Sequence, residues 1–199
     1  KPAHFATLNK SSFHIEKYWK LESKPHTERY TETCGHLRAL VEDSINRQLV
    51  SDMPLCTFLS GGLDSSILTK LIGNYRKEKG LSPIPTYSVD YVDNDKNFVK
   101  SDFQPNSDNY YINLMTENSY SENQKVLLDT PALADAIEDA MIARDMPGMA
   151  DVDSSLLLFC NQVKREHTVT LMGECADEIF GGYPWFFRKD ALESGTFPW

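Results

Sequence analysis

"PLCTFLSGGLDSS", residues 54–66, joins a strand signal, a loop signal and a helix signal in one short stretch. Its first six residues are almost continuously apolar, as in a strand buried on both faces of a parallel sheet. From Ser65 to about Lys77 the apolar residues recur at helical spacing, with Ile67, Leu68, Leu71, Ile72 and Tyr75 as the expected inner face and Gly80 as the stop. Between them stand two glycines flanked by hydroxyls, with a carboxylate two residues later. Gly61 and Gly62 reach positive φ without a Cβ clash and let backbone N–H groups turn inward. Ser60, Ser65 and Ser66 add hydroxyls, and the start of the helix adds unsatisfied N–H groups with a partial positive charge. Together these make a cradle for phosphate. A Walker loop would place a lysine here; this loop has Asp64. An aspartate beside phosphate is useful when it holds Mg²⁺, a hard cation that favours carboxylate and phosphate oxygens.

The same alternation extends outward. Residues 1–26 suggest a short strand pair around "HFATL" and "SFHIEKYWKL". Between 28 and 50, Tyr30, Cys34, Leu37, Val41, Ile45 and Leu49 form one face of a helix. "IPTYSVDYV" (84–92) reads as a second strand, and the polar stretch 93–108, broken by Pro105, as a loop. A helix near 108–117 and a strand at "KVLLD" follow. Thr130 caps a helix running "PALADAIEDAMIAR", since proline suits a first helical turn. "SSLLLFCNQVKRE" reads as a further helix and "TVTLMG" (168–173) as a buried strand. The pattern predicts an α/β domain, a mainly parallel sheet flanked by helices.

Bulk composition narrows the function. The chain has 199 residues, formal net charge −9 and 41% hydrophobic residues, ordinary for a folded globular protein. An acidic chain lacks the broad basic footprint of a nucleic-acid binder, and no apolar run approaches the roughly 20 residues of a membrane span. Cys34, Cys56, Cys160 and Cys175 form no CxxC pair, and the histidines form no HxxxH pair, which disfavours structural zinc. Free thiols in a reducing cytoplasm are the expected state.

A second loop, "LMGECADEIFGG" (171–182), follows the last predicted strand. In a parallel sheet both loops emerge at the carboxyl edge, where ligands lie. "LSGGLDSS" resembles the pyrophosphate loop of the PP-loop ATP pyrophosphatase superfamily, whose fold is adenine nucleotide alpha hydrolase-like. Joined with "GECADEIFGGYPWF", it resembles the synthetase domain of glutamine-hydrolysing asparagine synthetases. The resemblance implies an ATP-dependent amide ligase. It implies that aspartate's side-chain carboxylate would attack the α-phosphorus of Mg-ATP, that pyrophosphate would leave, and that ammonia derived from glutamine would displace AMP to give asparagine. It implies that Ser60, Gly61, Gly62, Asp64, Ser65 and Ser66 bind pyrophosphate, with Asp64 and Asp177 on Mg²⁺. Leu59 would border the nucleotide, Val89 would lie near the adenine, and Gly173 would touch the nucleotide through its backbone. Glu174 would accept a proton as ammonia attacks. Gly181 and Gly182 shape the turn.

Three departures stand out. The family commonly has serine where this chain has Met172, and glycine where it has Cys175. The acceptor stretch "GMADVDSS" lacks the threonine and arginine of well-known members, leaving Arg144 upstream as the candidate replacement. The resemblance also implies a longer parent. Residues 1–26 would be the end of, or linker from, a glutaminase domain, and 27–199 a synthetase domain truncated at its C-terminus and inactive alone. A homodimer is a candidate assembly. The alternatives are a PP-loop amidotransferase or β-lactam-synthetase-like enzyme with another carboxylate acceptor, and a catalytically silent nucleotide-binding module. A PP-loop enzyme acting on tRNA is disfavoured by the acidic pI.

Overall fold

The computed structural model describes residues 1–100 and 106–196. These divide into two compact units, Lys1–Ala39 and Leu40–Trp199. The first holds an antiparallel hairpin of β1 (His4–Leu8) and β2 (Phe13–Lys17), with Ala6 opposite Ile15. Asn9 closes its tip, its Oδ1 accepting from the N–H groups of Ser11 and Ser12. This is the expected strand pair.

The second unit is built on four parallel strands: β3 (Leu55–Phe58), β4 (Ile84–Tyr91), β5 (Ser121–Leu128) and β6 (Val169–Leu171), in the order β5-β4-β3-β6. Alternation along β3 assigns its two faces. Leu55 packs with Ile45, Leu68, Ile72 and Ile84, beneath α1 (Tyr30–Gln48) and α2 (Leu63–Glu78). Cys56 and Phe58 pack on the other face with Tyr87, Phe159 and Val163, beneath α7 (Ala150–Val163). Each fully buried aliphatic or aromatic side chain contributes about 1.5–3 kcal/mol, so these two layers hold the sheet between helices.

Several elements differ from the sequence reading, for physical reasons. α2 starts at Leu63, before Ser65, because Gly62 serves as its N-cap. Its inner face is Ser65, Leu68, Thr69, Ile72 and Gly73, whereas Ile67 faces out. Thr69 is buried because its hydroxyl bonds that of Thr57 at 3.2 Å, and Gly73 because Tyr120 backbone lies 3.0 Å from where its Cβ would stand. Of the apolar face of α1, Val41, Ile45 and Leu49 pack into the core, while Tyr30 and Leu37 remain exposed. β5 begins well before its apolar end, since its first residues pair with β4 through backbone and polar side chains. The helix expected over 131–144 breaks at Ala136 into α5 (Thr130–Asp135) and α6 (Ile137–Arg144), and Asp129 rather than Thr130 caps it, accepting from the Ala132 N–H. In the stretch expected as loop, Asn94–Asn97 form a short α3 ahead of α4 (Asp108–Asn118); Pro105 lies outside the described residues. After β6 come α8 (Ala176–Phe180), a 3₁₀ turn at Pro184–Phe186 and α9 (Lys189–Leu192).

Candidate functional site

The strand order singles out one gap. From β3 the chain steps outward to β4 and β5, then returns to lay β6 on the free side of β3. In an open parallel sheet such a reversal opens a crevice beyond the carboxyl ends of the two strands, and ligands bind there. Residues 59–66 follow β3 and residues 172–182 follow β6, so both glycine loops flank the crevice. They also touch. A Cβ on Gly173 would lie 2.8 Å from the Asp64 Cβ and 3.3 Å from the Ser65 nitrogen. Only a residue without a side chain lets the second loop rest on the first turn of α2.

Within the first loop the two glycines serve different ends. Gly61 has φ +81°, in the left-handed region. Gly62 is extended at φ −69°, ψ 167°, so its expected positive φ is not adopted. The Ser65 hydroxyl is turned inward: it accepts from the Ser60 N–H at 3.3 Å, lies 3.0 Å from the Ser60 hydroxyl and donates to the Gly62 carbonyl. Ser65 thus braces the loop, while the first N–H groups of α2 have no intrahelical acceptor and carry the positive end of the helix. Ser66 is half-buried one position on, its N–H bonded to the Gly62 carbonyl.

Asp64 stands half-buried in this first turn. Burial raises its pKa, and the negative charge of Asp177 raises it further. A half-buried carboxylate whose ionisation a second carboxylate opposes, beside an anion-binding loop, forms a site that a divalent cation would relieve. Among the described residues no group of three or more His, Cys, Asp and Glu side chains could hold a metal unaided. Two carboxylates do suit Mg²⁺, which keeps several waters and completes its shell with substrate phosphate oxygens.

In the second loop Cys175 has φ 68°, Gly181 has φ +71°, and a Cβ on Gly182 would overlap the Asp177 carboxylate. Gly182 is therefore required by close approach rather than by positive φ. The Gly182 N–H donates to the Asp177 carbonyl at 2.9 Å, which fixes the turn around the acid. Glu174 is exposed just ahead of α8. Tyr183 stacks on Trp185 with ring centroids 4.3 Å apart. Burial raises the Tyr183 pKa, and the charges of Glu178, Asp177 and Glu174 add to it.

The remaining predicted residues fall around the β3 and β4 tips. Val89 is 36% exposed near the carboxyl end of β4. Leu59 is 1% exposed, its N–H donating to the Tyr87 carbonyl. Arg144 donates through one guanidinium nitrogen to buried Asp153 at 2.5 Å, packed closely against Gly148.

Sequence reasoning missed a polar cluster at the β4 tip. Asp90 is buried, and its carboxylate accepts from the Tyr91 N–H at 2.9 Å, Asn94 Nδ2 at 2.9 Å and Asn109 Nδ2 at 2.8 Å. Lys125 Nζ lies 3.4 Å from the same carboxylate and 2.6 Å from Asn109 Oδ1. Burial opposes ionisation of Asp90, but these donors together hold its pKa below the usual carboxylate value. The available signal was an aspartate at an inward-facing register of a predicted strand. Next to it, the Tyr91 hydroxyl lies 2.8 Å from that of Ser155 in α7.

Comparison with known proteins identifies the family. Residues 36–199 match the model of the asparagine synthase family. The chain is 50% identical, over its whole length, to asparagine synthetase [glutamine-hydrolyzing] 3 of Bacillus subtilis, of which it covers 32%. It is 27% identical over its whole length to amidase chyE of Penicillium rubens, of which it covers 30%. Among solved structures it is similar to an NAD+ synthetase from Burkholderia pseudomallei, at 13% identity and a TM-score of 0.37, over 72% of this chain and 62% of that one. The chain thus spans about a third of the length of these curated relatives. With a family match reaching from α1 through both glycine loops, the chain belongs to the asparagine synthase family.

Proposed function

We propose that this chain carries the ATP-cleaving and amide-forming site of a glutamine-hydrolysing asparagine synthetase. The observation that carries the reading is the seating of Gly173 on the first turn of α2, which unites the anion loop with the acidic loop at the reversal between β3 and β6. The leaving group is pyrophosphate. The N–H groups at the start of α2 and the Ser60 and Ser66 hydroxyls receive it, and stabilising that developing charge is the main catalytic demand. Asp64 and Asp177 are the residues that would hold Mg²⁺, which supplies Lewis-acid neutralisation of phosphate charge when bound. Val89 offers its exposed face to the adenine, and Gly173 its backbone to the nucleotide. Glu174 takes the proton lost by ammonia as the amide forms, a task that suits an exposed carboxylate in a loop open to a second substrate. Glutamine-derived ammonia would come from a glutaminase domain of the same parent chain, and the thiols fit a cytoplasmic setting.

A second reading keeps the adenylation and changes the acceptor. The basic residue nominated to hold aspartate, Arg144, is engaged by Asp153, which favours an acceptor recognised otherwise. Pyrophosphate–ATP isotope exchange on the full-length protein separates the two. Exchange that depends on aspartate is the expected result. Exchange with another carboxylic acid and none with aspartate selects the second reading, and none with any acid overturns both.

A further inference from the structure

The buried cluster at the β4 tip reaches the anion loop through one helix. Asn109, which bonds the Asp90 carboxylate at 2.8 Å, sits in the first turn of α4. That turn lies directly on Gly61: a Cβ there would be 2.9 Å from the Asp108 carbonyl oxygen, 3.1 Å from the Tyr111 Cβ and 3.3 Å from the Ile112 nitrogen. Ile112 is itself fully buried, which anchors the next position of the helix. α4 therefore forms the outer wall of the loop, and its first turn is tied to the sheet by a charged hydrogen bond.

We propose that Asp90 is a positioning residue for the anion loop, acting through Asn109 to seat the first turn of α4 against Gly61. The proposal rests on the reading of this loop as an ATP site for its effect on substrate, though not for its effect on the loop itself. The cluster is arranged for such a role. Asp90 Oδ1 accepts from the Tyr91 N–H and from Asn94, which fixes the carboxylate on its own strand and on the start of α3. Oδ2 is then directed at Asn109 and Lys125. Lys125 in turn donates to Asn109 Oδ1, so the amide is held in one orientation with its NH₂ toward Asp90. Asp90→Asn breaks this order. The introduced amide would present its NH₂ to that of Asn109, and Asn109 cannot flip without turning its NH₂ on Lys125.

The test is an exchange of partners. In D90N/N109D the amide introduced on β4 keeps an oxygen for the Tyr91 N–H and Asn94. Its NH₂ meets the carboxylate introduced on α4, which Lys125 also pairs. Every donor is again satisfied. Hydrogen–deuterium exchange of the unliganded full-length protein reads the loop directly. D90N is expected to speed exchange of peptides spanning 59–66 and 108–112, while the double variant returns both toward wild type. Loss of one charge-assisted hydrogen bond, about 1.5–3 kcal/mol, corresponds to roughly ten- to hundredfold in an opening equilibrium. In the pyrophosphate–ATP assay D90N is expected to raise KM for ATP about tenfold and leave KM for the acceptor within about twofold, on the same energy scale. A purely structural role would lower Tm and move neither the 59–66 peptide nor the ratio of the two KM values. Unchanged protection of 59–66 in D90N overturns the proposal. So does a double variant as impaired as D90N, which would mean that Asp90 does not act through Asn109. If wild type binds no ATP, the reading of the site fails, while the hydrogen–deuterium measurement still decides the role of Asp90.

Discussion

Two neighbouring residues of the second loop place opposite demands on a side chain. Gly173 lies where a Cβ meets the Cβ of Asp64 and backbone of α2, none of which can move without displacing the helix start. Gly173→Ala is expected to cost about 1–3 kcal/mol as overpacking and to weaken nucleotide binding, because it parts the two loops. Cys175 is the reverse case. It holds φ 68°, a conformation that costs an ordinary residue about 1–2 kcal/mol. Cys175→Gly is expected to gain about 1 kcal/mol of stability, after the extra chain entropy of glycine is set against the relieved strain. Urea midpoints of the two variants should therefore move in opposite directions. A destabilised Cys175→Gly would mean that its thiol makes a packing contribution larger than the strain. The same φ supplies a physical reason for the glycine that family members commonly carry at this point.

At the scale of elements, what the sequence revealed follows from what each element is made of. β3, β4 and β6 were legible because they are short apolar runs, although β6, at the edge of the sheet, is half-buried rather than buried as expected. The anion loop was legible because its glycines and hydroxyls are contiguous. β5 was half-seen, since "SENQ" carries no apolar signal and is held by pairing with β4. The Asp90 cluster was not legible because its members come from β4, α3, α4 and β5, and only the fold brings them together. A second cluster of this kind ties β4 to the chain after α7. The Tyr87 hydroxyl donates to Glu166 Oε2 at 3.2 Å and lies 2.9 Å from His167 Nδ1. Burial is the main cause that pushes the phenol from its usual 10.0 up to about 12, with the Glu166 charge and hydrogen bond next and the Cys56 charge last. A raised pKa means that the folded state keeps a proton that the unfolded chain releases. The contribution is complete below pH 10 and is lost as pH rises through about 12. Wild type should therefore lose its stability advantage over Tyr87→Phe across that alkaline window and hold it at neutral pH. Parallel curves for the two proteins in urea titrations at each pH would exclude the linkage.

For the whole unit Leu40–Trp199, the site lies where its earliest and latest strands meet, so a ligand that bridges them must stabilise the unit as one body. A ligand that binds only the folded state adds RT ln(1 + [L]/Kd), about 2.7 kcal/mol at a hundredfold excess over Kd. For a domain of roughly 150–250 residues each kcal/mol shifts Tm by about 2–4 °C, so Mg-ATP is expected to raise Tm by about 5–10 °C. The acidic pair sets the condition. With Asp64 and Asp177 facing each other's charge, ATP without a divalent ion brings further negative charge to the same lip, and its shift should be small. AMP lacks the pyrophosphate that the cradle is proposed to receive, and its shift should be small with or without Mg²⁺. Asp64→Asn removes one carboxylate and the mutual repulsion together. It should leave the unliganded protein as stable as wild type or more so, and abolish most of the gain from adding Mg²⁺ to ATP. If Mg-ATP stabilises this variant as strongly as wild type, Asp64 does not hold the metal. Should ATP alone shift Tm as far as Mg-ATP, the acidic pair has no part in binding the triphosphate, and the crevice between β3 and β6 would recognise the nucleotide through its base and backbone contacts.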